Sequence, residues 1–399
     1  MTDPSITHSL VEETHRQFHT PNYAPSHFFV KGEGSYLWDA EGKKFLDFVS
    51  GIAVTALGHC HPALVQALQE QSEKLWHVSN LYYNEQAPFL AETISCMTMG
   101  GKVFFCNSGA EANEGLIKLA RKWGADFGRH EIISMRNSFH GRTLATLTAT
   151  GQDKIQQGFA PLPEGFVYAD FNDLDSVKAA KGPATAAVML ELVQAEGGVL
   201  PVDKDFIEGL AAWCTEHNIL LLLDEVQTGI GRTGKCFAYK HYDIQPDALS
   251  LAKGLGGGFP IGAVVTGEKV KDVFGPGTHG TTFGGQPLAC AMARTVLQVF
   301  KEEGLCEHSR DMGVLLERLL ADVVEKYDFI DSLRGQGLLQ GLVINRPAKE
   351  LEQLLAERGL LTVCTAGTVI RLLPPLNVTP EQIQEAVTLI DDACAAWKI

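Results

Sequence analysis

At 399 residues the chain is too long for one compact core, since single cores stop growing at roughly 250 to 300 residues, and two domains are expected. A composition of 45% hydrophobic and 20% charged residues excludes a disordered or fibrous protein. The net charge of -15 excludes a nucleic-acid or anionic-membrane partner that depends on clustered Lys and Arg, and leaves small molecules as the expected ligands.

The N-terminal stretch MTDPSITHSLVEETHRQF is acidic and has no apolar run of signal-peptide length, and nowhere do 18 apolar residues run together. No membrane contact is expected, and the cytoplasm is the expected location. Nine cysteines with no CxxC spacing, several inside apolar runs, fit a reducing compartment. GSYLWDAEGKKFLDFVSG reads as strands joined by the turn AEG, packing with the C-terminal part of the chain. GHCHP at 58–62 has two histidines without further ligands at fixed spacing, so a turn before a helix is expected there and no metal.

Between about residues 60 and 290, short aliphatic runs alternate with segments of helical period. They are VFFC at 103–106, a helix over 110–123, AAVMLE at 186–191, ILLLLD at 219–224 and IGAVVTG at 261–267. The alternation predicts an α/β domain with a mainly parallel sheet covered on both faces. ILLLLD is apolar without alternation and belongs near the sheet centre. Past Pro287 come helices near 287–301, 308–327 and 379–397 around short runs at 337–344 and 368–373, a smaller α+β domain. The expected division is 1–60 contributing to the small domain, 61–290 forming the large domain and 291–399 completing the small one.

Lys253, in DALSLAKGLGGGFPIGA, follows an apolar run and precedes a glycine-rich turn. That places an amine at the sheet rim, where partial burial lowers its pKa and prepares it for Schiff-base chemistry; the alternative is a solvated loop lysine. Asp224 ends ILLLLD at the C-terminal end of a buried strand, where open α/β sheets put their ligands. A protonated pyridinium nitrogen would partner it, and a plain strand-end cap is the other reading. Glu225, Val226 and Gln227 follow, with the Gln227 amide suited to a phenolic oxygen. In NSGAEANEG, Asn107, Ser108 and Gly109 turn the chain into a helix opening at Ala110, whose free N–H groups and dipole suit a phosphate as well as they suit an ordinary cap. Thr282 in HGTTFGGQPLA is a second phosphate candidate. Phe139 and His140 in NSFHGRT supply rings for stacking on a pyridine face, and Arg142 a carboxylate partner. Arg371 needs a counter-charge if buried, and Glu196 in VQAEGG can give it; each of these could equally be a structural ion pair.

The segments SGAEANE, SFHGRT, VQAEGG, LLLDEVQTGIGRTGK, LAKGLGGGFPIGA, HGTTFGGQPLA and IRLLPPLN, in this order, resemble the class III (subgroup II) aminotransferases, which use pyridoxal 5'-phosphate (PLP), over nearly the full length. The resemblance implies PLP-dependent transferase fold type I, with a mainly parallel seven-stranded sheet, and a homodimer with shared active sites. It further implies that Lys253 carries PLP and shuttles a proton, Asp224 meets the pyridine nitrogen and Phe139 stacks on the ring. Glu225, Val226 and Gln227 would run beside the cofactor, with Gln227 near its phenolic oxygen. Ser108, Gly109 and Ala110 would hold the phosphate with Thr282 of the second subunit, and Thr281 would touch substrate.

NYAP with Tyr23, SGIAVTALGHCHP and SNLYY look like the acetylornithine branch of the class, including relatives acting on succinylornithine or succinyl-diaminopimelate. Ile52 stands where ornithine aminotransferases usually have tyrosine, and Gln286 replaces the asparagine usual in GGNP. By resemblance Arg142 binds the donor's α-carboxylate and later the distal carboxylate of 2-oxoglutarate. Arg371 binds the α-carboxylate of 2-oxoglutarate, covered by Glu196 while an ω-amine is present. Ornithine or 4-aminobutyrate aminotransferase, a glutamate-semialdehyde type of aminomutase and a catalytically dead binding relative are the alternatives.

Overall fold

The computed structural model describes residues 6–397. Its centre is a seven-stranded sheet of β1 (Val103–Cys106), β2 (Glu131–Met135), β3 (Phe166–Ala169), β4 (Thr185–Glu191), β5 (Leu220–Asp224), β6 (Ala248–Leu251) and β7 (Gly262–Thr266), in the order β1-β7-β6-β5-β4-β2-β3. The pairs β6·β5, β5·β4, β4·β2 and β2·β3 are parallel. Only β7 runs against its neighbours, β6 and β1.

The unbroken leucine run of β5 is explained by its two buried faces. Leu220 and Leu222 join Leu116, Leu119, Ala187 and Met189 in one apolar cluster, while Leu221 and Leu223 join Val188, Leu190, Ile207 and Leu210 in the other. Each buried leucine contributes about 1.5 to 3 kcal/mol, so a charge at Leu222 would break the sheet's centre.

The helix Gly109–Gly124 covers the first face. Ser108 caps it, Oγ accepting from Glu111 N at 3.2 Å, and Leu116, Ile117, Leu119 and Ala120 form its buried stripe. Helix Lys204–Glu216 covers the other, burying Phe206, Ile207, Leu210 and Trp213.

Strands Phe29–Glu33, Tyr36–Asp39 and Lys44–Asp47 form an antiparallel meander. Its AEG turn forms because Asp39 Oδ1 accepts from Glu41 N and Lys43 N, at 3.1 and 2.8 Å. Leu360–Leu361 extends this sheet beside Lys44–Asp47, and Tyr36 Oη donates to Glu385 at 2.7 Å, so the two ends of the chain meet. A second antiparallel sheet has the order Ile330–Gln336, Leu339–Ile344, Val369–Leu372, Val363–Thr365.

The late helices are Pro287–Glu302, Leu305–Lys326 and Pro380–Ala396. The second begins three residues before the expected 308, because Gly304, at φ +60°, ends one helix and starts the next without a spacer. Thr379 and Gln382 close the last helix with a reciprocal capping box. In GHCHP, His59 Nε2 lies 2.8 Å from Asp47 Oδ2, and Pro62 opens the helix Pro62–Ser72.

No helix of the described residues is long and apolar enough to cross a membrane. The nine cysteines are free, with Cys106, Cys214, Cys290 and Cys394 buried as small apolar side chains.

Candidate active site

A cavity of about 420 Å³ opens beyond the C-terminal ends of β4, β5 and β6. Register fixes its floor. Glu191, Asp224 and Ser250 are partners across β4, β5 and β6. Strand parity puts their side chains on the face of Met189, Leu222 and Ala248, the face covered by helix Gly109–Gly124.

Asp224 is the most heavily held group of that floor. Its Oδ2 lies 2.8 Å from His140 Nδ1 and accepts from Asn113 Nδ2 at 2.7 Å, while Oδ1 accepts from Val226 N at 3.0 Å. Ser250 Oγ donates to Asn113 Oδ1 at 2.6 Å and fixes the Asn113 amide. A carboxylate with this many donors is oriented as well as compensated for burial.

Lys253 starts a one-turn helix, Lys253–Leu255, with φ at +40°, a left-handed conformation that costs a side-chain-bearing residue about 1 to 2 kcal/mol. Such strain collects where a ligand must be met. Burial of the amine pushes its pKa down to about 8; Arg371 acts in the same direction, and Glu196 and Asp224 oppose it.

Arg371, fully buried, donates from Nη1 to Glu196 Oε1 at 2.6 Å. Its Nε and Nη2 have no hydrogen-bond partner among the described residues. Burial pushes the Glu196 carboxyl up, but the neighbouring Arg371 charge and hydrogen bond, helped by Lys253, bring it below its ordinary value. Arg142 is exposed at the rim, 5.4 Å from the Phe139 ring.

The cavity suits an aromatic phosphate ester. Phe139 and Val226 both line it, and buried Gln227 Oε1 has no hydrogen-bond partner among the described residues. Ser108, Gly109 and Ala110 line the other end at the helix N-terminus, where first-turn N–H groups lack intrahelical acceptors. A Cβ on Gly109 would stand 2.7 Å from Val226 Cγ1, so only glycine allows this close approach.

Several expected residues stand elsewhere. His140 does not stack beside Phe139; its backbone N–H is tied to Thr150 Oγ1 at 2.9 Å and its ring is drawn under the site to Asp224. The Glu225 carboxylate turns away from the cavity and accepts from Ala238 N, Tyr239 N and Thr228 Oγ1 at 2.8 to 2.9 Å. Thr281 is not among the residues lining this chain's cavity, and its Oγ1 accepts from Asn107 Nδ2 at 3.4 Å and from Gly284 N at 3.1 Å. Thr282 is exposed outside this chain's own cavity. Tyr23 lies in a separate groove of the N-terminal segment, with His15 and Phe28. Gln286 precedes helix Pro287–Glu302 without a side-chain capping bond.

Asn113, Glu191 and Ser250 were not singled out from sequence. Glu191 had a signal, a carboxylate ending the apolar run AAVMLE just as Asp224 ends ILLLLD. Asn113 had one too, as a polar residue beside the apolar stripe of an amphipathic helix.

A sequence model of the family Aminotransferase class-III matches residues 19–394. The chain is a class III aminotransferase. The aminotransferase is 49% identical over 367 residues to the acetylornithine aminotransferase of Caldanaerobacter subterraneus subsp. tengcongensis, covering 91% of this chain and 93% of that protein. It is 47% identical over 381 residues to the succinylornithine transaminase of Yersinia pseudotuberculosis, covering 92% of each. The crystal structure of the Toxoplasma gondii ornithine aminotransferase superposes with a TM-score of 0.94 at 34% identity, covering 98% of this chain and 96% of that one. The aminotransferase therefore has the fold type I architecture and is a PLP-dependent enzyme.

Proposed function

We propose that the enzyme transfers the ω-amino group of an N-acylated ornithine, N-acetylornithine first and succinylornithine or succinyl-diaminopimelate next, to 2-oxoglutarate. The products are a semialdehyde and glutamate, as in arginine biosynthesis. The observation that carries this reading is the closed Glu196–Arg371 pair beside Lys253. A covered arginine leaves the reacting end of the cavity neutral, which suits an amine with no carboxylate on its carbon. The 49% and 47% identities to enzymes named for acetylornithine and succinylornithine support the acyl class. Ile52, in the left-handed segment leading to Val54 of the cavity wall, offers an apolar surface to the substrate's far end.

The residues divide the work as follows. Lys253 would be the attachment point for PLP, with Asp224 the partner for the pyridine nitrogen, Gln227 for the phenolic oxygen and Phe139 for the ring. Ser108, Gly109 and Ala110 hold the phosphate. When bound, PLP supplies an electron sink for the carbon that carries the transferred amino group. Lys253 Nζ, with a pKa of about 8, would be the base that takes the proton from that carbon and delivers it to the cofactor's C4' carbon. Arg142 at the rim binds the donor's α-carboxylate and then the distal carboxylate of 2-oxoglutarate. Arg371 binds the α-carboxylate of 2-oxoglutarate once Glu196 swings aside.

The enzyme is proposed to act as a cytoplasmic homodimer, with Thr282 completing the phosphate site of the second subunit. Leu75, Trp76, Leu81, Tyr82, Tyr83, Phe89 and Phe283 are exposed, Leu81 by 83% and Tyr83 fully, a patch of the kind that marks an interface. Asn80 and Asn84 tie that segment to the loop carrying Thr282, through Gly284 O at 2.9 Å and Gly285 O at 3.1 Å.

The test is a visible spectrum of the PLP-loaded protein on addition of N-acetylornithine, succinylornithine, ornithine or 4-aminobutyrate. The reading expects an N-acylated ornithine to bleach the lysine-bound cofactor band with the highest kcat/KM, and 2-oxoglutarate to restore it. Bleaching by ornithine or 4-aminobutyrate alone would overturn the acyl assignment, and turnover without an amino acceptor would make the enzyme a mutase.

A further inference from the structure

Glu191 takes no part in the chemistry assigned above, yet it lines the cavity and is only 6% exposed. It is the strand partner of Asp224 and points to the same face, so two carboxyl groups stand side by side beneath the cofactor site. Their surroundings differ. Asp224 has His140, Asn113 and the Val226 amide around it, whereas Glu191 accepts one hydrogen bond, from Phe139 N to Oε2 at 2.9 Å.

We propose that Glu191 is a positioning residue that remains a neutral carboxylic acid, holding Phe139 against the cofactor ring while leaving Asp224 the only negative charge beneath it. This rests on the reading that the cavity holds PLP. Where two buried carboxyls share a site, the proton is held most readily by the one with fewer donors, here Glu191. The charges facing Glu191 are Asp224 from the neighbouring strand, Glu196 from the loop after its own strand and Lys253. The His140 ring and Arg371 are already engaged by Asp224 and Glu196. Burial first, then Asp224 and Glu196, push the Glu191 carboxyl well above its ordinary range, against the Phe139 N–H and Lys253. A second negative charge would hold Lys253 protonated, so a neutral Glu191 also helps keep that amine available as a base.

The test uses the PLP-loaded enzyme and three proteins: wild type, Glu191→Gln and Glu191→Leu. The pH midpoint of the lysine-bound cofactor band is expected to move by less than about 0.3 unit in Glu191→Gln, which keeps the shape, the neutrality and an acceptor for Phe139 N. A neighbouring carboxylate is worth about 1 to 3 pH units, so a midpoint lowered by one unit or more in Glu191→Gln would overturn the neutral acid. In Glu191→Leu the affinity for PLP is expected to fall about tenfold and to return to within twofold of wild type in Glu191→Gln. Wild-type affinity in the Leu variant would overturn the positioning role. An infrared difference spectrum of wild type against Glu191→Gln must also lose a protonated-carboxyl band, a readout that does not depend on turnover. If wild type itself forms no cofactor band, the cavity reading fails and takes this role with it, whereas a normal wild-type band with any contrary result above overturns the role of Glu191 alone.

Discussion

Arg371 Nη1 and Glu196 Oε1 lie 2.6 Å apart, with the guanidinium sealed from solvent and the carboxylate side chain 29% exposed. The exposed member of such a pair has the more room to move, so in the proposed function Glu196 would be the gate and Arg371 the fixed post. In Glu196→Ala, kcat/KM for the ω-amine donor should fall by about 10- to 100-fold, equivalent to about 1.4 to 2.7 kcal/mol, while that for glutamate holds or rises. Parallel steady-state kinetics with both donors check this. Equal losses for both would remove the gate from the account.

The close approach of Gly109 to Val226 tests the phosphate turn. A methyl group at position 109 would sit 2.7 Å from Val226 Cγ1, so Gly109→Ala must displace that wall. PLP affinity should drop about tenfold, about 1.4 kcal/mol, and recover in part in the double variant with Val226→Ala. Fluorescence titration of the apoprotein with PLP measures both, and an unchanged single variant would show that the turn does not hold the cofactor.

Lys253 makes the stability of the apoprotein rise with pH, the same direction as for a carboxylate held below its ordinary value but in an alkaline window. Its amine titrates near 8 in the folded chain against an ordinary 10.5. Between those values the unfolded chain binds more protons, so this group adds stability as pH rises from about 8 to about 10.5, and its penalty is full below 8. The penalty is about 1 to 3 kcal/mol, the lower end reflecting the amine's remaining contact with the open cavity. Urea unfolding of apo Lys253→Met should therefore show it more stable than wild type at pH 7, with the gap closing toward pH 10.5. A gap independent of pH would mean that the amine is not desolvated. By the same logic, cofactor attachment to the free amine should quicken with a midpoint near pH 8.

The apolar patch around Leu81 and Tyr83 makes a prediction about assembly. Leu81→Arg places a charge in the middle of the proposed dimer face, and a desolvated unpaired charge costs several kcal/mol. Sedimentation should give a monomer, and its PLP affinity should fall at least tenfold because Thr282 no longer reaches the second subunit's site. A monomer that binds PLP as the wild type does would sever the site from the interface.

Much of this architecture was legible in the sequence because single residues carried unambiguous physics. ILLLLD had to be buried on both faces, and the described strand splits its leucines between two clusters. The small-residue turn Asn107 to Gly109 marked a helix start, observed one residue before the expected Ala110. The turn AEG was legible between its two strands, and the structure adds Asp39 as the side chain that holds it. Side-chain direction was less legible. NSFHGRT offers two adjacent rings and nothing in their order says that His140 turns inward to Asp224. DEVQ offers two adjacent carboxylates, and only the position of Ala238 and Tyr239 shows Glu225 facing away. The row Glu191, Asp224, Ser250 depends on register between strands far apart in sequence, which no local pattern encodes.

The central claim is that Lys253 carries the cofactor, and borohydride reduction of the PLP-loaded enzyme followed by peptide mapping tests it most directly. The account predicts that the pyridoxyl group is fixed to the peptide containing Lys253 and to no other, and that Lys253→Ala yields no labelled peptide while still folding. Label on a different lysine, or equal labelling of Lys253→Ala, would contradict it.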